Sequence, residues 1–78
     1  MMISGVLVVA KPEHLSQVRA ALESFPWAEV HHEDPDGRLV VTIEADDTDQ
    51  AIARLREVKE LPRVIQAEMV EHYVEDER

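Results

Sequence analysis

The sequence contains no cysteine and no asparagine, only two glycines, and one residue each of Phe, Trp and Tyr. Without cysteine there can be no disulfide, no thiolate nucleophile and no Cys-based zinc or iron–sulfur site. Small secreted domains usually need such staples, so a reducing compartment is favoured. Gly5 and Gly37 stand far apart, which rules out a glycine-rich phosphate loop. Ser4, Ser16 and Ser24 lie in no nucleophile elbow. No apolar run approaches the length of a membrane span. The stretch Met1–Ala10 has no basic residue ahead of its apolar run, and Lys11-Pro12 follows at once, so no secretory signal is expected. Basic residues are scarce as well: eight Lys and Arg against seventeen Asp and Glu leave a formal charge of −9. Nucleic acid requires a basic footprint, so this balance argues against it and favours basic peptides as partners.

What remains is a hydrophobic fraction of 45% and a charged fraction of 32% over 78 residues. That composition predicts one small folded domain spanning residues 1–78, with about 74–78 as a charged tail expected to fray.

The clearest local signal lies between Glu29 and Gln50. Asp34-Pro35-Asp36-Gly37 is a turn, because Pro presets φ near −65° and Gly takes a positive φ at little cost. Strands are expected on either side, from Ala28 to Glu33 and from Arg38 to Glu44. Asp47 followed by Gln50 has capping-box spacing and starts a helix whose apolar face is read as Ala51, Ile52, Leu55 and Val58. Leu61-Pro62 closes it. Upstream, Ile3–Ala10 is a strand, and Leu15, Val18, Leu22 and Phe25 form the apolar stripe of a helix entered through Pro12 and ended by Pro26. Trp27 follows as a lid over the core edge. Val64–Tyr73 is the last strand.

The order is βαββαβ, which predicts an α+β, ferredoxin-like sandwich: a four-stranded antiparallel sheet in order 4-1-3-2 with two helices on one face. Two features support this order. The first and third strands are apolar on both sides, as central strands should be, and the others carry Glu29, Glu33, Glu68 and Glu71, as exposed edges should. Alternation then assigns faces. Val6, Val8, Ala28, Val30, Leu39, Val41, Ile43, Ile65, Ala67 and Met69 are expected toward the helices. Leu7, Val9, Val40, Thr42 and Val70 fall on the open side, rimmed by Glu29, His31, Glu44, Gln66 and Glu68.

Candidate chemistry is thin. His31 and His32 are adjacent in a strand and are expected on opposite faces, which prevents them from sharing a metal ion. Glu44, Asp46, Asp47 and Asp49 lack the glycine and distal glutamate of a calcium loop, and helix capping accounts for them. The missing asparagine removes the acylphosphatase arrangement, an enzymatic use of this fold. No catalytic residue, metal or cofactor is therefore expected. The open sheet face remains, either as a dimer interface or as a docking surface for a peptide with apolar and basic groups.

Val6-Leu7-Val8-Val9-Ala10-Lys11, Phe25-Pro26, Glu29-Val30, Gly37-Arg38-Leu39-Val40-Val41 and Glu44-Ala45-Asp46-Asp47, in that order and spacing, resemble the NapD family from Ile3 to about His72. The resemblance implies a small cytoplasmic assembly chaperone with a ferredoxin-like fold. Such a protein binds the twin-arginine signal peptide of the periplasmic nitrate reductase catalytic subunit and delays export until the molybdenum cofactor is inserted. No family motif pins a binding residue. The acidic rim itself nominates Glu29, Glu44 and Glu68 as arginine partners, and Leu7, Val9, His31, Val40, Thr42 and Val70 complete the expected peptide site. A monomer or weak dimer is expected. Trp27 stands where a smaller residue is usual in the family, and the hairpin turn is shorter than in some relatives. The rival reading is a regulatory module that dimerises through its open sheet and binds a small effector; a third, a small dimeric isomerase-type enzyme, lacks a nameable acid or base.

Overall fold

The aliphatic run Val6–Ala10, preceded by Met2 and Ile3 ahead of Ser4 and Gly5, makes the first strand, β1 (Met2–Ala10), the spine of the sheet. In this computed structural model residues 1–74 are described, with side chains through Val70; the charged tail expected at the C-terminus lies mostly outside the described residues. Strand β1 pairs antiparallel with β3 (Arg38–Ala45) on one side and β4 (Val64–Val74) on the other. Strand β2 (Ala28–Asp34) lies outside β3, giving the order β2-β3-β1-β4. This is the order expected from the sequence, read from the opposite edge.

Two helices cover one face. A single 3₁₀ turn over Pro12–His14 leads into α1 (Leu15–Glu23), which buries Leu15, Val18 and Leu22. Helix α2 (Thr48–Lys59) begins at Asp47, whose carboxylate accepts a hydrogen bond from the Gln50 backbone N–H at 2.8 Å. The Gln50 side-chain oxygen accepts in return from the Asp46 N–H at 2.7 Å, one residue further upstream than a standard capping box places it. Between helices and sheet lie the fully buried Val6, Val8, Val18, Leu22, Leu39, Val41, Ile43 and Val58. Phe25, Trp27, Ala28 and Val30 pack against this core from the β2 side.

Two residues expected in the core are not there. Ile52 is 49% exposed. At 100° per residue it lies about 90° from the mean direction of Ala51, Leu55 and Val58, beyond the arc that meets the sheet. Ile65 is 62% exposed, because the β1–β4 ladder slips at this point: Val9 pairs with Gln66, yet Ala10 pairs with Val64. The extra residue is Ile65, and Val64 packs against the core in its place.

The hairpin turn closes as its sequence implies. The Gly37 N–H donates to the Asp34 carbonyl at 2.9 Å, and the Asp36 N–H donates to the Asp34 carboxylate at 3.0 Å. Gly37 has φ of 115°, and its carbonyl accepts from the Ala10 N–H at 2.8 Å, so the turn is fastened to the end of β1.

Candidate functional site

The helix-free face of the sheet is a grid of side chains whose neighbours follow from register. Leu7 lies between Val40 on β3 and Glu68 on β4, and Val40 in turn lies opposite His32 on β2. One step along the strands, Glu29 lies opposite Thr42, which lies opposite Gly5. One step the other way, Asp34 lies opposite Arg38, then Val9 and Gln66. Glu44 lies opposite Ile3 at the end of the grid. Val40 is 41% exposed, whereas Leu7, Val9 and Thr42 are half-buried by their neighbours.

With strands about 4.8 Å apart and same-face residues about 6.7 Å apart along a strand, distances follow directly. Glu29 and Glu44 lie about 8 Å apart on one flank of the Val40–Leu7 pair. Glu68 lies on the other flank, about 16 Å from Glu29 by the same spacings. The three carboxylates bracket the apolar patch and do not converge on a point. All three are exposed.

The backbone of Glu44 is held from two sides. Its N–H donates to the Trp27 carbonyl at 2.9 Å, and its own carbonyl accepts from Arg54 Nη1. The Arg54 guanidinium also lies 5.2 Å from the centre of the Trp27 ring, which stacks on Phe25 with centroids 4.4 Å apart. Trp27 is therefore a half-buried bridge from the core to α2, in keeping with a lid at the core edge. Beside it a cavity of about 290 Å³ is lined by Met1, Pro26, Glu44, Asp46, Gln50 and Arg54 among others.

The two histidines depart from the sequence reading. The β2–β3 ladder carries an extra residue between Val30 and His32, so His32 takes the open-face position opposite Val40. The His31 ring also reaches that face, with Nε2 2.7 Å from the Thr42 hydroxyl. A bulge thus sets both imidazoles on the same side, where strict alternation would separate them. The same shift turns Glu33 toward α1, where its carboxylate meets Arg19 at 3.0 Å. Hydrogen bonds donated by Arg19 to Glu23 and then to Glu33 raise its pKa from the ordinary value. Among the described residues no group of three or more His, Asp or Glu is arranged to hold a metal ion.

Val70, expected on the open side, falls at a second slip in the β1–β4 ladder, between the Met69 and Glu71 pairs, and is 61% exposed. Sequence reasoning missed four occupants of the open face: Ile3, His32, Asp34 and Arg38. Arg38 lies 3.8 Å from Asp34 and 3.6 Å from Asp36, so the one basic residue within the grid is partnered by acids of its own hairpin. Alternation from Val40 and Leu7 would have found Ile3 and Arg38; His32 depends on the bulge.

Among the described residues no helix is long and apolar enough to cross a membrane. The model of the NapD protein family matches residues 1–76. The chaperone NapD of Escherichia coli K12 is 32% identical over 76 residues, covering 96% of this chain and 87% of that one. The chaperone NapD of Shigella flexneri matches to the same extent. The solution structure of the E. coli Tat proofreading chaperone protein NapD superimposes with a TM-score of 0.83 at 32% identity, covering 96% of this chain and 78% of the other.

Proposed function

This chain belongs to the NapD family, and from that premise we propose that it is a cytoplasmic chaperone for a twin-arginine signal peptide, that of the periplasmic nitrate reductase catalytic subunit. Holding the peptide keeps it from the export machinery until the molybdenum cofactor has been inserted. The protein works by binding alone and needs no catalytic residue or cofactor of its own.

The observation that carries this reading is the open sheet face, where apolar Val40 and Leu7 have Glu29 and Glu44 on one flank and Glu68 on the other, and Val9 extends the strip one step along β1. A twin-arginine signal peptide has the complementary pattern, a basic start and an apolar middle. Magnitudes divide the labour. Covering about 400 Å² of apolar surface gives on the order of 10 kcal/mol gross, before ordering costs remove much of it. Each exposed carboxylate–guanidinium contact adds about 0–1 kcal/mol. The apolar strip supplies affinity, and the acidic flanks choose a basic ligand. Glu29 and Glu44, about 8 Å apart by strand geometry, form the natural receiving pair for two adjacent arginines. Thr42, His31 and the exposed Val70 border the strip.

Isothermal titration of the signal peptide into wild type and Val40→Glu tests this. We expect micromolar or tighter binding to wild type that weakens as salt rises, and loss of binding in the variant with its melting temperature kept. Undiminished binding to Val40→Glu would move the peptide off this face.

A further inference from the structure

A second surface, at the end of the sheet where β1 stops and β4 starts, carries charge of the opposite sign. Lys11, His14 and Arg63 line a cavity of about 180 Å³ with Val64 and Ile65, and no carboxylate lines it. Ile65 also borders a neighbouring cavity of about 400 Å³ beside Lys59 and Glu68. Among the described residues Arg19 and Arg38 are ion-paired, whereas Lys11, Lys59 and Arg63, like Arg54 and Arg56 on α2, make no ion pair. In a chain of net charge −9, free cations gathered around one bulged, 62% exposed isoleucine are out of keeping with the rest of the surface.

Arg63 adds an independent sign. Its φ is 76°, a left-handed backbone that glycine adopts freely and a side chain makes costly. An arginine kept where glycine would fold better points to a use for the side chain.

We propose that this end docks an acidic segment of a partner polypeptide, with carboxylates over Lys11 and Arg63 and an apolar side chain against Ile65. The charge complementarity is local: the Debye length of about 8 Å at physiological salt screens the more distant Glu29 and Glu44, and of the three acidic flanks only Glu68 borders the second cavity. A small anion would fill only the first cavity and leave the larger one, between Ile65 and Lys59, unoccupied. A second copy of this chain would bring another nine negative charges. Glu68 of the signal-peptide face borders the second cavity, but Lys11, His14 and Arg63 lie outside that face, so the proposal stands whether or not that reading holds.

The test is a titration of the isotope-labelled full chain with a blocked peptide of Glu and Asp flanking a single Leu, followed by amide shifts. Shifts should cluster at Lys11, His14, Arg63 and Ile65. Arg63→Gly should weaken binding about threefold to fivefold, the range of one exposed ion pair, while raising the melting temperature, so a folding defect cannot explain the loss. The reversal Lys11→Glu with Arg63→Glu should abolish it. Unchanged affinity in Arg63→Gly overturns the proposal. So do equal shifts with inorganic phosphate alone, which would mark simple anion binding, and a dimer in sedimentation that Ile65→Ser converts to monomer. Twin-arginine peptide binding should be unaffected by Arg63→Gly.

Discussion

Replacing Gly37 with alanine tests how the hairpin is fastened to the sheet. A Cβ at this position would lie 2.2 Å from the Ala10 carbonyl oxygen, and the obstacle is backbone, which no rotamer can move aside. The residue's φ of 115° is itself strained for any side chain. Holding that conformation costs about 1–3 kcal/mol. Relieving the clash requires the turn to lift away from β1, which sacrifices the 2.8 Å bond from the Ala10 N–H to the Gly37 carbonyl. That loss adds about 1 kcal/mol. The total, about 2–4 kcal/mol, is a large part of the roughly 4–8 kcal/mol expected for a domain of this size. Urea denaturation followed by Trp27 fluorescence should show the midpoint falling by about 2 M or more, given a slope near 1 kcal/mol per molar for a chain this short. A change below about 1 kcal/mol would refute the close approach of turn and strand. The consequence reaches function, because the same hairpin carries Asp34, Arg38 and Val40 onto the open face.

Asp47→Ala removes the acceptor for the Gln50 N–H and should cost about 1 kcal/mol in the same denaturation assay; an unchanged midpoint would mean that α2 does not depend on this cap. Ile52→Ser should change stability by less than about 0.5 kcal/mol, because the side chain is half exposed, and a loss above 2 kcal/mol would return Ile52 to the core.

Much of this fold was legible because local signals agreed. The turn Asp34-Pro35-Asp36-Gly37, the Asp47 cap and the alternation of Leu39, Val41 and Ile43 each named a boundary or a face without help from distant residues. Strand order followed from which strands were apolar on both sides. What could not be read were the bulges. An inserted residue such as His31 or Ile65 has no composition of its own; it is defined by the partner strand's register, which is a long-range property. Those slips moved Ile65 out of the core and brought His32 beside Val40. The Arg54–Trp27 contact was equally hidden, since it joins a loop to a helix far along the chain. The candidate site was legible in its apolar strip and acidic flanks, because alternation alone puts Leu7, Val40, Glu29, Glu44 and Glu68 on one face, even though β2 and the β1–β4 ladder slip beside them.

The most direct measurement is chemical-shift mapping of the twin-arginine signal peptide onto the labelled chain. Perturbations should concentrate at Leu7, Val9, Glu29, Val40, Thr42, Glu44 and Glu68, and a Lys-Lys variant of the peptide should bind more weakly. Shifts confined to the helix face, or equal binding of the Lys-Lys peptide, would contradict recognition by an apolar sheet with acidic flanks.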